Sequence, residues 1–368
     1  YRSWKEMNVF VFGTRGFPQI QGGVEVHCEH LYSAMRQADL KVTVFRRKPY
    51  VPRLVQPASP GIRFVDLPST KMKGFEAFFH SLLCCIYCIF SRPDIVHVHN
   101  IGPGMFIPIL KFFGLKVVLT YHSANYEHDK WGKYAKAILR IAETLSVRFA
   151  DKIIFVNKAK LNSFPDNIRS KSCYLPNGIS PVKHASLHNF LDELGLLPHG
   201  YILSVGRITK EKGFDYLIDA YLSSGCEQPL VIVGGIDHST DYARLVQQKA
   251  TKSEKIILAG FRQGEELSQL YTFARFFVLP SYNEGYPIVV IEAVNYHKRI
   301  LLSDIEPNQQ INLPAECYFK TGDVEELSEK LYRVASDEYS EPLYEVKLYT
   351  WKELANSVYS IYQSICHG

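Results

Sequence analysis

Gly-Arg-Ile-Thr-Lys-Glu-Lys-Gly at residues 206–213 and Glu-Gly-Tyr-Pro-Ile-Val-Val-Ile-Glu at residues 284–292 decide how this chain is read. Arg207 and Lys212 lie five apart in a loop that follows the apolar run Tyr201 to Val205. Anionic ligands of α/β proteins collect where strands end, so two cations in that loop are placed to converge on one diphosphate. Glu284 and Glu292 are eight apart with a helix-like apolar run between them. That spacing predicts one carboxylate near the start of a helix, free to face a sugar, and the other two turns along, within reach of a ribose.

Outside these motifs, short β-branched runs alternate with amphipathic stretches, which argues for parallel-sheet α/β architecture rather than a barrel or bundle. Strands are expected at Asn8 to Phe12, Lys41 to Phe45, Ile62 to Val65, Ile95 to His99, Lys116 to Thr120 and Lys152 to Val156. A second series is expected at Tyr201 to Val205, Leu230 to Val233, Lys255 to Leu258, Phe276 to Leu279 and Arg299 to Leu302. The chain's 368 residues, 46% of them hydrophobic, exceed one ordinary core and fit two domains of about 150 to 200 residues. The expected division is 1–180 and 181–345, with an amphipathic segment at 346–368; Pro176 to Gly200, rich in Pro, Gly, His, Ser and Asn, is the linker candidate.

Eight irregularly spaced cysteines do not form a disulfide framework and suggest a reduced, cytosolic protein. The longest apolar stretch, Leu82 to Phe90, falls well below the roughly 20 residues a bilayer span needs. No targeting segment precedes Met7, the expected natural start. Residues 1–180 hold 25 Lys and Arg against 12 Asp and Glu, net +13, while the remainder holds 17 against 25, net −8, in keeping with the overall +5. A basic domain attracts anionic phospholipid or nucleic acid. No nucleic-acid module is recognisable, so lipid is preferred. Arg46, Arg47, Lys48, Arg53, Lys71 and Lys73, in or beside first-domain loops, would each contribute about 1 kcal/mol at such a surface. The apolar helical stripe Phe75 to Phe90 is read as buried against a sheet, and Cys84, Cys85 and Cys88 within it as core.

A diphosphate at this loop needs its charge stabilised by a metal or by fixed cations. The chain contains no Asp-x-Asp to hold a metal, which leaves Arg207 and Lys212. Lys212 precedes Gly213 at a helix start, where a lone cation opposes the dipole and a bound phosphate would explain its placement; a solvated Lys-rich loop is the plain alternative. Gly285, Tyr286 and Pro287 are expected to open a helix whose free amides face a phosphate or sugar hydroxyl. Glu284 can instead cap that helix and Glu292 face solvent, yet Glu292 sits among Val289, Val290, Ile291, Ala293 and Val294, where an unpaired charge is costly. It needs a partner.

In the first half, Gly22 and Gly23 precede an amphipathic helix and let amides approach a phosphate closely. His122 ends a strand at the carboxyl edge, where it either serves a site or bonds to backbone. His97 and His99 alternate along one strand face; with no third ligand apparent, strand packing is preferred to a metal pair.

Together these motifs resemble the retaining glycosyltransferases of family 4, whose signature is two glutamates separated by seven residues and preceded by an Arg and a Lys. The resemblance implies a GT-B fold, two Rossmann-like parallel-sheet domains facing a central cleft, with the final helix returning to the first domain. It implies that Glu284, Arg207, Lys212 and His122 form the catalytic set. Donor contacts would come from Gly22, Gly23, Gly285, Tyr286, Pro287 and Ile288, with Glu292 accepting from the ribose hydroxyls. Glu25 and the Phe-Arg-Arg-Lys that ends the second strand resemble a bacterial subgroup that builds surface polysaccharides. The implied activity is transfer from a nucleoside diphosphate sugar to a glycan or lipid-diphosphate-linked acceptor, without cofactor or metal and without nucleic acid, in the cytoplasm or at the inner membrane face. A sugar-nucleotide 2-epimerase of similar fold and a non-catalytic partner in a glycan assembly complex remain open alternatives.

Overall fold

The computed structural model describes residues 6–51, 61–70, 72, 75–124, 132–236, 240–337, 342 and 344–367. The chain forms two compact units, one of Tyr1–Ser180 with Tyr349–Gly368, the other of Pro181–Leu348.

Seven parallel strands build the first unit: β1 (Met7–Phe12), β2 (Leu40–Arg47), β3 (Ile62–Leu67), β4 (Ile95–His99), β5 (Val117–Tyr121), β6 (Lys152–Phe155) and β7 (Ser172–Tyr174). Their spatial order is β3-β2-β1-β4-β5-β6-β7, so the winding reverses between β1 and β4, the crevice where such sheets bind ligands. Every residue of β4 and β5 is buried, as expected of strands covered on both faces. Among helices of eight or more residues, α1 (Gly23–Ala34), α2 (Glu76–Ser91) and α3 (Lys133–Phe149) belong here.

The second unit repeats the plan with β8 (Ile202–Val205), β9 (Leu230–Val233), β10 (Ile256–Gly260), β11 (Phe276–Leu279), β12 (Arg299–Ser303) and β13 (Tyr318–Phe319), in the order β10-β9-β8-β11-β12-β13. Its reversal lies between β8 and β11. The corresponding helices are α4 (Phe214–Ser224), α5 (Asp241–Ala250), α6 (Gly264–Phe273), α7 (Ile288–Asn295) and α8 (Val324–Ser336). The last helix, α9 (Trp351–His367), is part of the first unit. There Trp351, Leu354, Ala355, Val358 and Tyr362 share a core with Cys28, Leu31 and Tyr32 of α1.

All eleven expected strands form, with ends shifted by no more than two residues, and β7 and β13 are additions. Three other expectations are corrected. Residues 176–200 are not a bare linker, because they carry a helical turn at Asn189–Glu193 and bury Phe190, Leu191 and Leu196. Arg46 and Arg47 do not face lipid; both are buried, Arg46 in a bidentate pair with Asp66 at 2.7 and 3.0 Å and Arg47 with Glu76 at 3.1 Å. Helix α2 buries Cys84, Cys85 and Cys88 but leaves Phe90 84% exposed, so its stripe is only partly covered. Lys48 is exposed, while Arg53, Lys71 and Lys73 lie outside the described residues. None of the eight cysteines is in a disulfide. No described helix is long and apolar enough to cross a membrane.

Candidate functional site

The loops leaving β8 and β11, neighbours at the reversal point of the second sheet, carry the charged motifs. Gly213 closes the β8 loop at φ +67°, and a Cβ there would lie 2.2 Å from the Pro280 carbonyl oxygen and 2.5 Å from the Tyr216 ring. Only glycine fits. Tyr216 Oη donates to that same Pro280 oxygen at 2.5 Å, and the Tyr282 amide donates to the Glu211 carbonyl at 2.8 Å. The two loops are thus fastened backbone to backbone, and their side chains meet.

Lys212 Nζ lies 2.5 Å from Glu284 Oε1, with the two side chains 15% and 10% exposed. Ser281 Oγ donates to the same carboxylate oxygen at 2.6 Å. The cation at a helix start is therefore compensated by Glu284. Lys212 retains further N–H donors for a ligand, since an ammonium carries three. Arg207 is half-buried in the same loop.

Helix α7 begins at Ile288 with Pro287 as its N-cap. Gly285 and Tyr286 therefore precede the helix rather than open it, and Glu284 lies one turn ahead of it. Proline has no amide hydrogen and fixes φ near −65°, which suits a helix entry. Glu292 finds its partner in Tyr271 of α6, whose hydroxyl donates to Oε2 at 3.1 Å. Burial pushes the Glu292 carboxyl up to about 7, with the tyrosine hydrogen bond opposing the rise.

At the reversal point of the first sheet, Gly22 caps α1 at φ +152°. Glu25 folds back from the first turn of the helix, accepting from Thr14 Oγ1 at 3.2 Å and the Arg15 amide at 3.0 Å. This ties the helix start to the β1 loop and leaves Gly23 open, with nothing within 4 Å of a Cβ placed there.

His122 is not solitary. Its Nε2 lies 2.9 Å from His99 Nδ1, and its ring meets that of His27 edge to face at 4.7 Å between centroids. His99 Nε2 lies 2.7 Å from Tyr32 Oη, and His97 Nδ1 lies 2.9 Å from that hydroxyl and 2.5 Å from Tyr362 Oη. Burial pushes His27 down to about 4 and His97 to about 3, and holds His99 and His122 well below the usual imidazole range. Burial thus favours the uncharged form of all four. The expectation that His97 and His99 lack a third companion is corrected: His27 and His122 join them. Nothing in the sequence flagged His27, which sits on the buried face of α1 beside Cys28 and Leu31.

Family models match both units, the model described as Glycosyltransferase Family 4 over residues 21–183 and that described as Glycosyl transferases group 1 over residues 197–347. The amylovoran biosynthesis glycosyltransferase AmsD of Erwinia amylovora is 24% identical over 232 residues, covering 62% of this chain and 63% of the relative. The N,N'-diacetylbacillosaminyl-diphospho-undecaprenol alpha-1,3-N-acetylgalactosaminyltransferase of Campylobacter jejuni is 28% identical over 207 residues, 53% of this chain and 54% of that one. Across the first curated relatives the chain spans between 39% and 63% of their length. Among solved structures, sucrose-phosphate synthase from Thermosynechococcus elongatus shares the fold, with a TM-score of 0.76 over 97% of this chain and 98% of that one at 20% identity.

Proposed function

This chain belongs to the family 4 glycosyltransferases, and from that premise we propose that it transfers a sugar from a nucleoside diphosphate sugar to a glycan or lipid-diphosphate-linked acceptor in cell-envelope polysaccharide synthesis. The observation that carries the reading is the Lys212–Glu284 pair at the β8–β11 reversal point, with Arg207 in the same loop and Glu292 further along. Two cations to hold a departing diphosphate and two carboxylates to accept from sugar and ribose hydroxyls are what donor recognition requires. The curated relatives named above are transferases, which disfavours an epimerase.

Transfer proceeds with retention by same-face attack: the leaving phosphate takes the acceptor proton while Arg207 and Lys212 stabilise it. Glu284, steadied by Lys212 and Ser281, accepts from the donor sugar; the Gly285 and Tyr286 backbone with Pro287 and Ile288 completes the donor pocket, and Glu292 takes the ribose. By resemblance, Gly22 and Gly23 contribute to diphosphate binding and His122 to sugar positioning. Departure needs no divalent ion.

A cytoplasmic enzyme docked on the inner membrane face fits the net +13 of residues 1–180. Helix α3 supports this: Tyr134, Ile138 and Ile141 stand 89%, 55% and 60% exposed along one stripe beside exposed Lys133 and Arg140, a basic amphipathic face suited to an anionic surface.

A thermal-shift panel with UDP, GDP, dTDP and ADP tests the donor site, since a ligand at 100 times its Kd adds about 2.7 kcal/mol. One nucleotide should stabilise the wild type and not Lys212→Ala. Silence from every nucleotide would overturn the proposal.

A further inference from the structure

His27 on α1, His99 at the end of β4 and His122 just past β5 are all buried, and each offers a ring nitrogen within 4.8 Å of those of the other two. The bonds around them indicate which nitrogens carry protons. His27 Nδ1 donates to Asn177 Oδ1 at 2.7 Å, which leaves Nε2 as the lone-pair nitrogen. That Nε2 is buried and has no hydrogen-bond partner among the described residues. An unmet buried acceptor normally costs about 1–3 kcal/mol, so its retention calls for an explanation.

His99 Nε2 is held 2.7 Å from Tyr32 Oη, and its Nδ1 faces His122 Nε2 at 2.9 Å. Tyr32 Oη also lies 2.9 Å from His97 Nδ1, which Tyr362 Oη approaches to 2.5 Å. In the tautomer that donates from Nε2 to Tyr32, His99 turns the Nδ1 lone pair inward as His27 turns that of Nε2, each ring held by a hydrogen bond on its far nitrogen, the arrangement that typically orients metal-ligating histidines.

We propose that His27 Nε2, His99 Nδ1 and His122 Nε2 form a binding site for a divalent transition ion of the zinc class, with a fourth position open to an oxygen ligand. At metal–nitrogen distances of about 2.0–2.1 Å, tetrahedral ligand atoms stand about 3.3 Å apart, so the His99–His122 contact opens slightly and His27 closes in. The ion is bound with His27 and His122 protonated on Nδ1 and His99 on Nε2, and since all three rings stay neutral, binding needs no net loss of a proton. Three neutral imidazoles without a carboxylate suit Zn²⁺, Co²⁺ or Cu²⁺ and not Mg²⁺ or Ca²⁺. The ion joins α1 to the ends of β4 and β5 within the first unit. It is separate from the diphosphate chemistry assigned to Arg207 and Lys212 and does not rest on that assignment.

The test is titration of the metal-stripped full chain with Co²⁺, read by its visible d–d absorption, alongside Zn²⁺ calorimetry. One equivalent should bind with the intense bands of a four- or five-coordinate nitrogen site. His27→Gln and His122→Gln should each weaken binding at least 100-fold, Tyr32→Phe should weaken it 10- to 100-fold by loosening His99, and exposed His188→Gln should change nothing. Circular dichroism establishes that each variant is folded; if the site variants fail to fold, the wild-type spectrum decides alone. Absence of those bands in wild type, or an unchanged one-equivalent spectrum in both folded His27 and His122 variants, would overturn the site. The nucleotide thermal-shift panel reads the other proposal separately, because it reports on the Arg207 and Lys212 loop and not on the imidazoles.

Discussion

Glu292→Gln separates what the Glu292 carboxylate costs the fold from what it gives the ligand. In the folded protein its carboxyl rises from the ordinary 4.5 to about 7, through burial that Tyr271 only partly offsets. Between those values the folded chain holds a proton that the unfolded chain has released, so stability falls as pH rises through the window, and the whole penalty is present above pH 7. At about 1.4 kcal/mol per pH unit the penalty is roughly 3 kcal/mol, and solvent screening at this half-buried position reduces it to about 1–2 kcal/mol. Glutamine cannot ionise and escapes it. Calorimetric melts should therefore show the variant close to wild type at pH 5 and ahead at pH 8 by about 3–6 °C for a unit of this size. Nucleotide affinity at pH 8 should move the other way, falling about 10-fold or more, because hydrogen bonds to a charged acceptor are worth about 1.5–3 kcal/mol. An identical Tm difference at both pH values would show that the carboxyl does not titrate where the packing places it. The reasoning would then fail.

Lys212→Ala or Glu284→Ala should each lower turnover by about 10² or more, the scale of losing one preorganised electrostatic contact; steady-state kinetics at wild-type rates would discredit the site. Gly213→Ala should push the β8 and β11 loops apart, because its Cβ would meet the Pro280 oxygen at 2.2 Å. Urea unfolding should report a loss of about 1–3 kcal/mol, together with weaker nucleotide binding. Vesicle flotation should show the protein on anionic but not zwitterionic membranes, and Ile138→Glu should release it with nucleotide binding intact; binding indifferent to lipid charge would refute the docking.

Strands were legible because parallel strands buried on both faces are written as unbroken apolar runs, such as Leu230 to Val233 and Phe276 to Leu279. The edge strands β7, Ser-Cys-Tyr, and β13, Tyr-Phe, are too short and too mixed to leave such a run. Charged motifs stood out in the sequence, but their partners did not. Lys212 and Glu284 are 72 residues apart, and no local period connects them. Arg46 and Arg47 read as loop cations because Asp66 and Glu76, which bury them, come from the next strand and helix. The imidazole cluster shows in the chain only as the alternation of His97 and His99 and as His122 at a strand end; the approach of α1 that brings in His27 is a tertiary event.

Helix α9 completes a core begun more than three hundred residues earlier, and the backbone crosses between the units twice in adjoining segments, where the Ile179 amide donates to the Tyr349 carbonyl at 2.8 Å and the Trp351 amide returns to Ile179 at 3.3 Å. The second unit is in effect a long insertion whose entry and exit are pinned side by side. On the ribosome it is finished while its host still lacks Trp351 and Tyr362, so the older half must wait, with the α1 flank uncovered, for the younger to emerge. Rejoining the chain at that pinned neck, with Pro181 as a new beginning or Leu348 as a new end, leaves the insertion's own contacts uncut, making it the natural place to separate the halves.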